Sequence, residues 1–319
     1  MMRAPISLAA LLLPATLAAA LSPAAFGAAP PLQEPAEIQT PSAGASPATA
    51  HGAADTRTFW VSNPVTPVDN GFRFLYQLKF QEARAEFAEW ERQHPEDPLG
   101  YSSEAASFLF QQFYRQGILS SEFFLDDKRL LGGITGKPDD ELGEEFHRAV
   151  ERAQKAAQER LNRDPRDVPA LLAFTMTNGM LADYSSLIEK RQLATLHLLG
   201  QSEDFAHRLL AVDSTAGDAY VALGTSNYII ACLPGYKRFF LRIGGVHGDK
   251  TVGIHQLEQA VSEGHYLQPY AQLLLALISL REKRPQRAQA LLANLASEFP
   301  DNPLFKRELA KLGALVGPK

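Results

Sequence analysis

Three acidic pairs, Asp126-Asp127, Asp139-Asp140 and Glu144-Glu145, are the residues of this chain that a hydrolase would want. Carboxylate acid–base chemistry needs two such groups facing one cleft with their pKa values pushed apart. Spacing alone does not bring these together. The run from Asp139 to Glu145 suits the first turn of a helix, where acids complement the dipole. His247, His255 and His265 could suggest a metal, but none forms the i, i+4 pair or the close Cys/His spacing that coordination on one helix requires, and His207 stands alone. Gly132-Gly-Ile-Thr-Gly136-Lys137-Pro138 invites comparison with a phosphate-binding loop. That loop needs four residues before Gly-Lys and then Ser or Thr, whereas here three precede it and proline follows, with no strand before it. No Gly-x-Ser-x-Gly, His-Glu-x-x-His or Gly-x-Gly-x-x-Gly occurs. The sequence therefore assigns no catalytic residue, metal or cofactor, and the chain reads as a non-enzyme.

Cys232 is the single cysteine, so an intrachain disulfide is impossible. Its setting, Asn-Tyr-Ile-Ile-Ala-Cys-Leu, reads as buried packing rather than as a nucleophile. The segment Tyr236-Lys-Arg-Phe-Phe-Leu-Arg-Ile243 mixes bases with aromatics, as membrane-surface and partner-docking segments do. Tyr236, Lys237, Arg238 and Phe239 are its candidate contacts. The plain alternative is a helix that buries Phe239 or Phe240 and keeps Lys237, Arg238 and Arg242 in water.

These residues must be positioned by something, and the bulk composition says what. The chain has 319 residues, 45% of them apolar, with nine tyrosines and eighteen phenylalanines, which is ample for a core. A net charge of -5 without a Lys/Arg run offers nothing to gather phosphates, so nucleic acid is not expected as a partner. Arg3, the apolar run from Ile6 to Leu21 broken by Pro14, and the small residues around Ala25-Phe26-Gly27-Ala28 read as a signal peptide over 1–27. Export to a periplasm or the medium is expected, with no transmembrane span after its removal. No cysteine near the cleavage region offers a site for lipid attachment. Residues 28–58, rich in Ala, Pro, Ser, Gly and Thr, read as a disordered linker, and the folded domain is expected over 59–319.

Within that domain apolar residues recur at three- and four-residue spacing, notably over Glu144 to Leu161, Leu171 to Leu199 and Pro269 to Leu280. No stretch alternates as a strand would, so an all-α fold is predicted. Helix-ending prolines then align: Ala83-x3-Phe87-x7-Pro95, Ala153-x3-Ala157-x7-Pro165 and Ala288-x3-Leu292-x7-Pro300 share one spacing. The prolines lie 70 and 135 residues apart, close to two and four multiples of a period of about 34.

That pattern resembles the tetratricopeptide repeat (TPR) superfamily, whose unit is W-x2-L-G-x2-Y, then A-x3-F, then P, over two antiparallel helices. In a first unit, about 64–97, Gly71 and Phe74 take the Gly and Tyr slots and Ala83, Phe87 and Pro95 complete it. In the last, about 269–302, Ala276 replaces the glycine, followed by Ala288, Leu292 and Pro300. Tyr220-x2-Leu223-Gly224-x2-Asn227 adds another first helix. Gly71, Gly224, Ala276, Ala83, Ala153 and Ala288 are expected to permit close helix approach, and Phe74 and Phe87 to fill between repeats. The segments Gln111 to Asp140 and Leu233 to Val252 depart from the pattern. Five to seven helix pairs are expected, some irregular, with a capping helix from Leu304 to Leu312. The Gly248-Asp-Lys turn, Gly264-His265-Tyr266 and the closing Phe299-Pro-x-Asn-Pro303 resemble exported bacterial TPR proteins of unassigned function.

What the resemblance implies is an α-solenoid that binds a protein or peptide partner in a groove lined by the first helix of each pair. Carried over, the groove positions are Val68, Phe72 and Leu75, then Leu172 and Met176, then Val221, Thr225 and Tyr228, and last Leu273. They are apolar or neutral, unlike a groove that clamps a peptide carboxylate. Two arrangements stay open: an exposed groove that holds a partner, or a closed array with an apolar interior suited to a small ligand or lipid. A third reading places an enzyme on the irregular segments 111–140 and 233–255.

Overall fold

A computed structural model describes residues 65–243 and 246–316. The signal segment 1–27, the linker 28–58 and the expected domain start at 59 lie outside the described residues. Fourteen helices and no strand occur among those described. They are α1 Pro67–Tyr76, α2 Phe80–Gln93, α3 Pro98–Arg115, α4 Ser121–Leu125, α5 Asp127–Gly132, α6 Asp140–Arg163 and α7 Val168–Leu187. The rest are α8 Gln192–Val212, α9 Ala219–Cys232, α10 Gly235–Ile243, α11 Lys250–Glu263, α12 Gln268–Arg281, α13 Pro285–Glu298 and α14 Pro303–Val316.

Local chemistry sets the helix starts. Thr66 and Asp69 form a reciprocal capping box on α1, with Thr66 Oγ1 accepting from the Asp69 N–H and Asp69 accepting from the Thr66 N–H at 2.8 Å. Asp97, Asp139 and Asp167 cap α3, α6 and α7 in the same sense, each accepting a backbone N–H of the first turn. Pro98 follows its cap directly, at the first helical position, where its missing N–H costs nothing. Pro95, Pro165 and Pro300 lie in the turns after α2, α6 and α13, where the repeat pattern puts them.

The helices pack as five pairs: α1 with α2, α3 with α6, α7 with α8, α9 with α11 and α12 with α13. This is an all-α, TPR-like solenoid with α14 as its cap. The two irregular segments are insertions inside pairs: α4 and α5 sit between α3 and α6, and α10 between α9 and α11.

Pair packing depends on small residues. Ala83, Ala153, Ala276 and Ala288 have no accessible surface. At Gly71 an added Cβ would fall on the ring of Phe87, and Phe87 itself is fully buried. At Gly224 it would sit 2.8 Å from Leu257 Cγ and 2.9 Å from the Gly253 carbonyl oxygen, so α9 and α11 touch backbone to backbone.

The array does not run open-ended. Residues of the first pair and of the last share one core: Val68, Phe72, Leu75 and Tyr76 pack with Leu273, Leu277 and Phe299. Phe72 stacks on Tyr266 at 5.1 Å between centroids, and the Tyr76 hydroxyl donates to the Tyr266 carbonyl at 2.8 Å. Asn302 donates to the Tyr76 carbonyl at 2.7 Å, and His265 Nε2 lies 3.0 Å from Asp69 Oδ1. The inserted α4 reaches the same end. Arg281 of α12 donates to the Phe124 carbonyl and pairs with Asp127, while on α4 Ser121 donates to Glu308 and Glu122 pairs with Lys311.

Gly224→Ala is expected to lower stability by about 1–3 kcal/mol, because the neighbouring backbone cannot give way. Gly200→Ala, mid-helix with nothing within 4 Å of the added methyl, is expected to raise it by roughly 0.5–1 kcal/mol. Thermal unfolding of both variants checks the pair of signs.

Candidate apolar cavity

The first helices of the last three pairs, α7, α9 and α12, are apolar all round because both of their faces are covered. With the array closed, their inward faces surround a cavity of about 410 Å³, with a neighbouring one of about 80 Å³. The larger falls within the size range of small-molecule sites. Phe113 of α3, Leu130 of α5, Leu187 of α7, Leu199 of α8, Ile229 of α9 and Leu277 of α12 wall it. Tyr236 and Lys237 of α10 and Gln192 and Leu193 at the start of α8 also line it, and Tyr236 and Leu193 are 66% and 85% exposed, which puts its mouth there.

The expected groove residues divide. Phe72, Leu75 and Val68 are almost wholly buried in the core that joins the first and last pairs, so they do not face an open groove. The reason is closure: the surface that an open array would present to a partner is covered by Tyr266 and Phe299. Tyr228 and Leu273 line the larger cavity, Met176 and Val221 the smaller, and Thr225 both. Leu172 is partly buried against the core. The repeat-signature residues Gly71, Phe74, Ala83, Phe87, Ala153, Gly224, Ala276 and Ala288 pack within and between pairs, away from the cavity lining.

Three polar groups meet where the two cavities adjoin: Asp183, Thr225 and Tyr270 line both. No hydrogen bond or ion pair among the described residues reaches the Asp183 carboxylate, and the residue, partly buried, lines both cavities. Desolvation pushes its pKa up to about 7. Thr225 Oγ1 is buried without a partner. Burial raises the Tyr270 phenol well above its usual range, and the nearby Asp183 charge adds to that. The other charged groups of the lining are engaged or peripheral. Arg281 holds Phe124 and Asp127, and Asp218 accepts the backbone N–H groups of His265, Tyr266 and Leu267 at 2.8, 3.0 and 2.9 Å.

Asp183 is not among the sequence candidates, though a signal for it exists. It is the only charge between Asp167 and Glu189, and positions three and four residues either side are Gly179, Met180, Ser186 and Leu187, so no basic partner lies on its helix face.

The motifs that suggested chemistry resolve into structure. Asp126 and Asp139 are helix caps, Asp127 pairs with Arg281, and Lys137 pairs with Asp140 at 2.8 Å. Gly133 takes φ +74 beside the Leu187 carbonyl, which accepts the Ile134 N–H at 2.8 Å, so the glycine-rich run lies along the end of α7. His265 pairs with Asp69 and His255 lies 3.8 Å from Glu258 on α11. Among the described residues no group of three His, Cys, Asp or Glu is placed to hold a metal ion. Burial, aided by the neighbouring Glu104, raises Glu91 to about 7, but Arg152 binds both carboxylates and ties α6 to α2 and α3. Cys232 is partly buried.

On α10, Tyr236, Phe239 and Ile243 are exposed beside Lys237, Arg238 and Arg242, and Arg238 donates to the Ala231 carbonyl at 3.2 Å. No helix among the described residues is long and apolar enough to cross a membrane.

No family profile matches this chain, and no curated protein does. Among solved structures, a thermophilic TPR protein from Thermus thermophilus is similar at 14% identity. The match covers 77% of this chain and 96% of that one with a TM-score of 0.42.

Asp183→Asn tests the buried charge through stability. The folded carboxyl titrates near 7 against an ordinary 3.8, so the native state binds the proton more tightly. Its contribution to stability therefore grows as pH falls from about 8 towards 5 and is lost as pH rises through 7. At pH 8 the asparagine variant is expected to be more stable by on the order of 2–4 kcal/mol, with the gap narrowing by about half towards pH 5 and closing only below about pH 4, where the unfolded carboxyl is protonated as well. Denaturant titrations of both proteins across that range check it.

Proposed function

We propose that this protein acts by binding rather than by catalysis, and that its site is the interior of the closed array, which takes up one small apolar or amphipathic molecule. The observation that supports this most is a cavity of about 410 Å³ walled mostly by aliphatic and aromatic side chains, with Asp183, Thr225 and Tyr270 among its few polar lining groups. An apolar lining of this extent offers dispersion contacts to an apolar guest. The N-terminal sequence supports placing this activity outside the cytoplasm, in a periplasm or the medium.

TPR-like folds commonly serve as protein-interaction modules, and one observation favours a second docking surface. Helix α10 carries three bases and no acid, its Tyr236, Phe239 and Ile243 side chains are exposed, and it stands at the cavity mouth. That composition suits an anionic lipid surface, with which the helix would associate peripherally.

Full-length protein titrated with dodecanol by calorimetry is expected to bind one molecule per chain. Leu199→Trp, which fills the space where both cavities meet, is expected to weaken it by about tenfold or more while the far-ultraviolet spectrum stays unchanged. Undiminished binding by that variant would place the guest elsewhere and end the cavity reading.

For α10, sedimentation with phosphatidylglycerol vesicles is expected to exceed that with phosphatidylcholine vesicles, and Phe239→Glu is expected to abolish the difference. Equal sedimentation with both vesicle types removes the membrane role.

A further inference from the structure

Resting on the cavity reading, we infer that the natural guest is a cationic amphiphile, an alkyl or aryl ammonium compound, whose head pairs with Asp183 while its apolar body fills the space between α7, α9 and α12. Three observations carry it.

First, the lining is selective in sign. Asp183 is the one acid in the larger cavity, and its carboxylate has no protein donor among the described residues. Every other ionisable group around it is spoken for or remote. On α9, Tyr228 donates to Glu282 at 2.9 Å, and Asp218 at the helix start is satisfied by three backbone N–H groups. On α12, Tyr270 is a neutral phenol and Arg281 is held by Phe124 and Asp127. On α10, Lys237 is exposed at the mouth. The lining positions of α3, α5 and α8 carry no titratable group.

Second, the polar groups that share both cavities with the carboxylate are neutral hydroxyls, Thr225 and Tyr270, and no cation is among them. Thr225 Oγ1 is buried without a partner, lines the same two cavities as the carboxylate and has lone pairs that can accept from an ammonium N–H. A fatty-acid head would instead bring a second carboxylate to a site with no free cation at its inner end.

Third, the medium strengthens the pairing. An ion pair formed among aliphatic side chains is much less screened than one at the surface. A buried charge left alone is costly, and a guest of opposite charge removes that cost in the same step.

The pH dependence has a definite sign. Alkyl ammonium groups stay charged below about pH 10, as a lysine does. Affinity therefore follows Asp183: high when it is ionised, falling as pH drops below 7 and the carboxyl takes up a proton.

The test uses full-length protein and three probes of one chain length: dodecylammonium, dodecanol and dodecanoate, titrated below their micelle concentrations at pH 8 and pH 5.5. Dodecylammonium is expected to bind about tenfold or more tighter than dodecanol at pH 8, with dodecanoate weakest, and to lose about tenfold in affinity at pH 5.5 while dodecanol is unchanged. In Asp183→Asn, dodecylammonium is expected to fall to the dodecanol level at both pH values, with dodecanol binding retained. Equal affinity for amine and alcohol in the parent overturns the proposal, as does tightest binding of dodecanoate. Full amine binding by Asp183→Asn also overturns it, since that would be adsorption to the acidic exterior. If dodecanol binds in any of these cases, the cavity reading stands without the cationic head. If no probe binds, both fall together.

Discussion

Closure of the array is the constraint on which the rest depends. Each helix pair has two apolar faces to cover, and interior pairs cover both against neighbours. The first and last pairs have a free face each, and here they cover one another through Phe72, Tyr76, Tyr266 and Phe299. The polar ties at that seam are directional: the Tyr76 hydroxyl to the Tyr266 carbonyl, Asn302 to the Tyr76 carbonyl, His265 to Asp69. They fix register where apolar packing alone would slide. A solenoid that met a partner along an open inner face could not keep Phe72 and Leu75 buried, so closure converts what would be a groove into an interior.

The two insertions gain their meaning from that closure. In an open array α4 and α5 would be a long excursion inside a repeat. In the closed one α4 spans from the α3–α6 pair to α12 and α14, and Arg281 reads its backbone through the Phe124 carbonyl. Helix α10 occupies the other irregular segment and does the opposite: it remains at the edge, with aromatic surface exposed, beside the mouth of the space that α4 helps to enclose. One insertion seals and the other leaves an entrance.

Much of the fold was legible from residue type and spacing, because repeat geometry is local. Proline after Ala-x3-Phe marks a helix end wherever it occurs, and Gly71 and Gly224 mark close approach because only the lack of a Cβ permits it. Asp139 at a helix start was legible for the same reason. Closure was not, since it depends on the summed twist of five pairs and on contacts nearly two hundred residues apart, such as His265 with Asp69. Phe72 and Leu75 lie buried at the seam of the closed array, while Met176, Thr225 and Tyr228 line its cavities. The cavity was beyond sequence patterning altogether: a void is a property of how side chains fail to fill a space, and Leu199 or Ile229 beside it looks no different from core.

Asp183 joins these levels. A helix apolar on all faces tells of burial on all faces, and a single acid within it, with no base one turn away, is a local contradiction of that burial. Natural sequences keep such contradictions where a site requires them. A leucine or asparagine at this position would cost the fold less, since neither carries the desolvation that lifts this carboxyl to about 7. What the carboxylate supplies instead is a preference among guests, and it does so in the two cavities that the unpartnered hydroxyl of Thr225 also lines. Stability is lowered at the one point where the interior has room for something other than protein, and there the lowered stability becomes binding energy available to a ligand of the right charge.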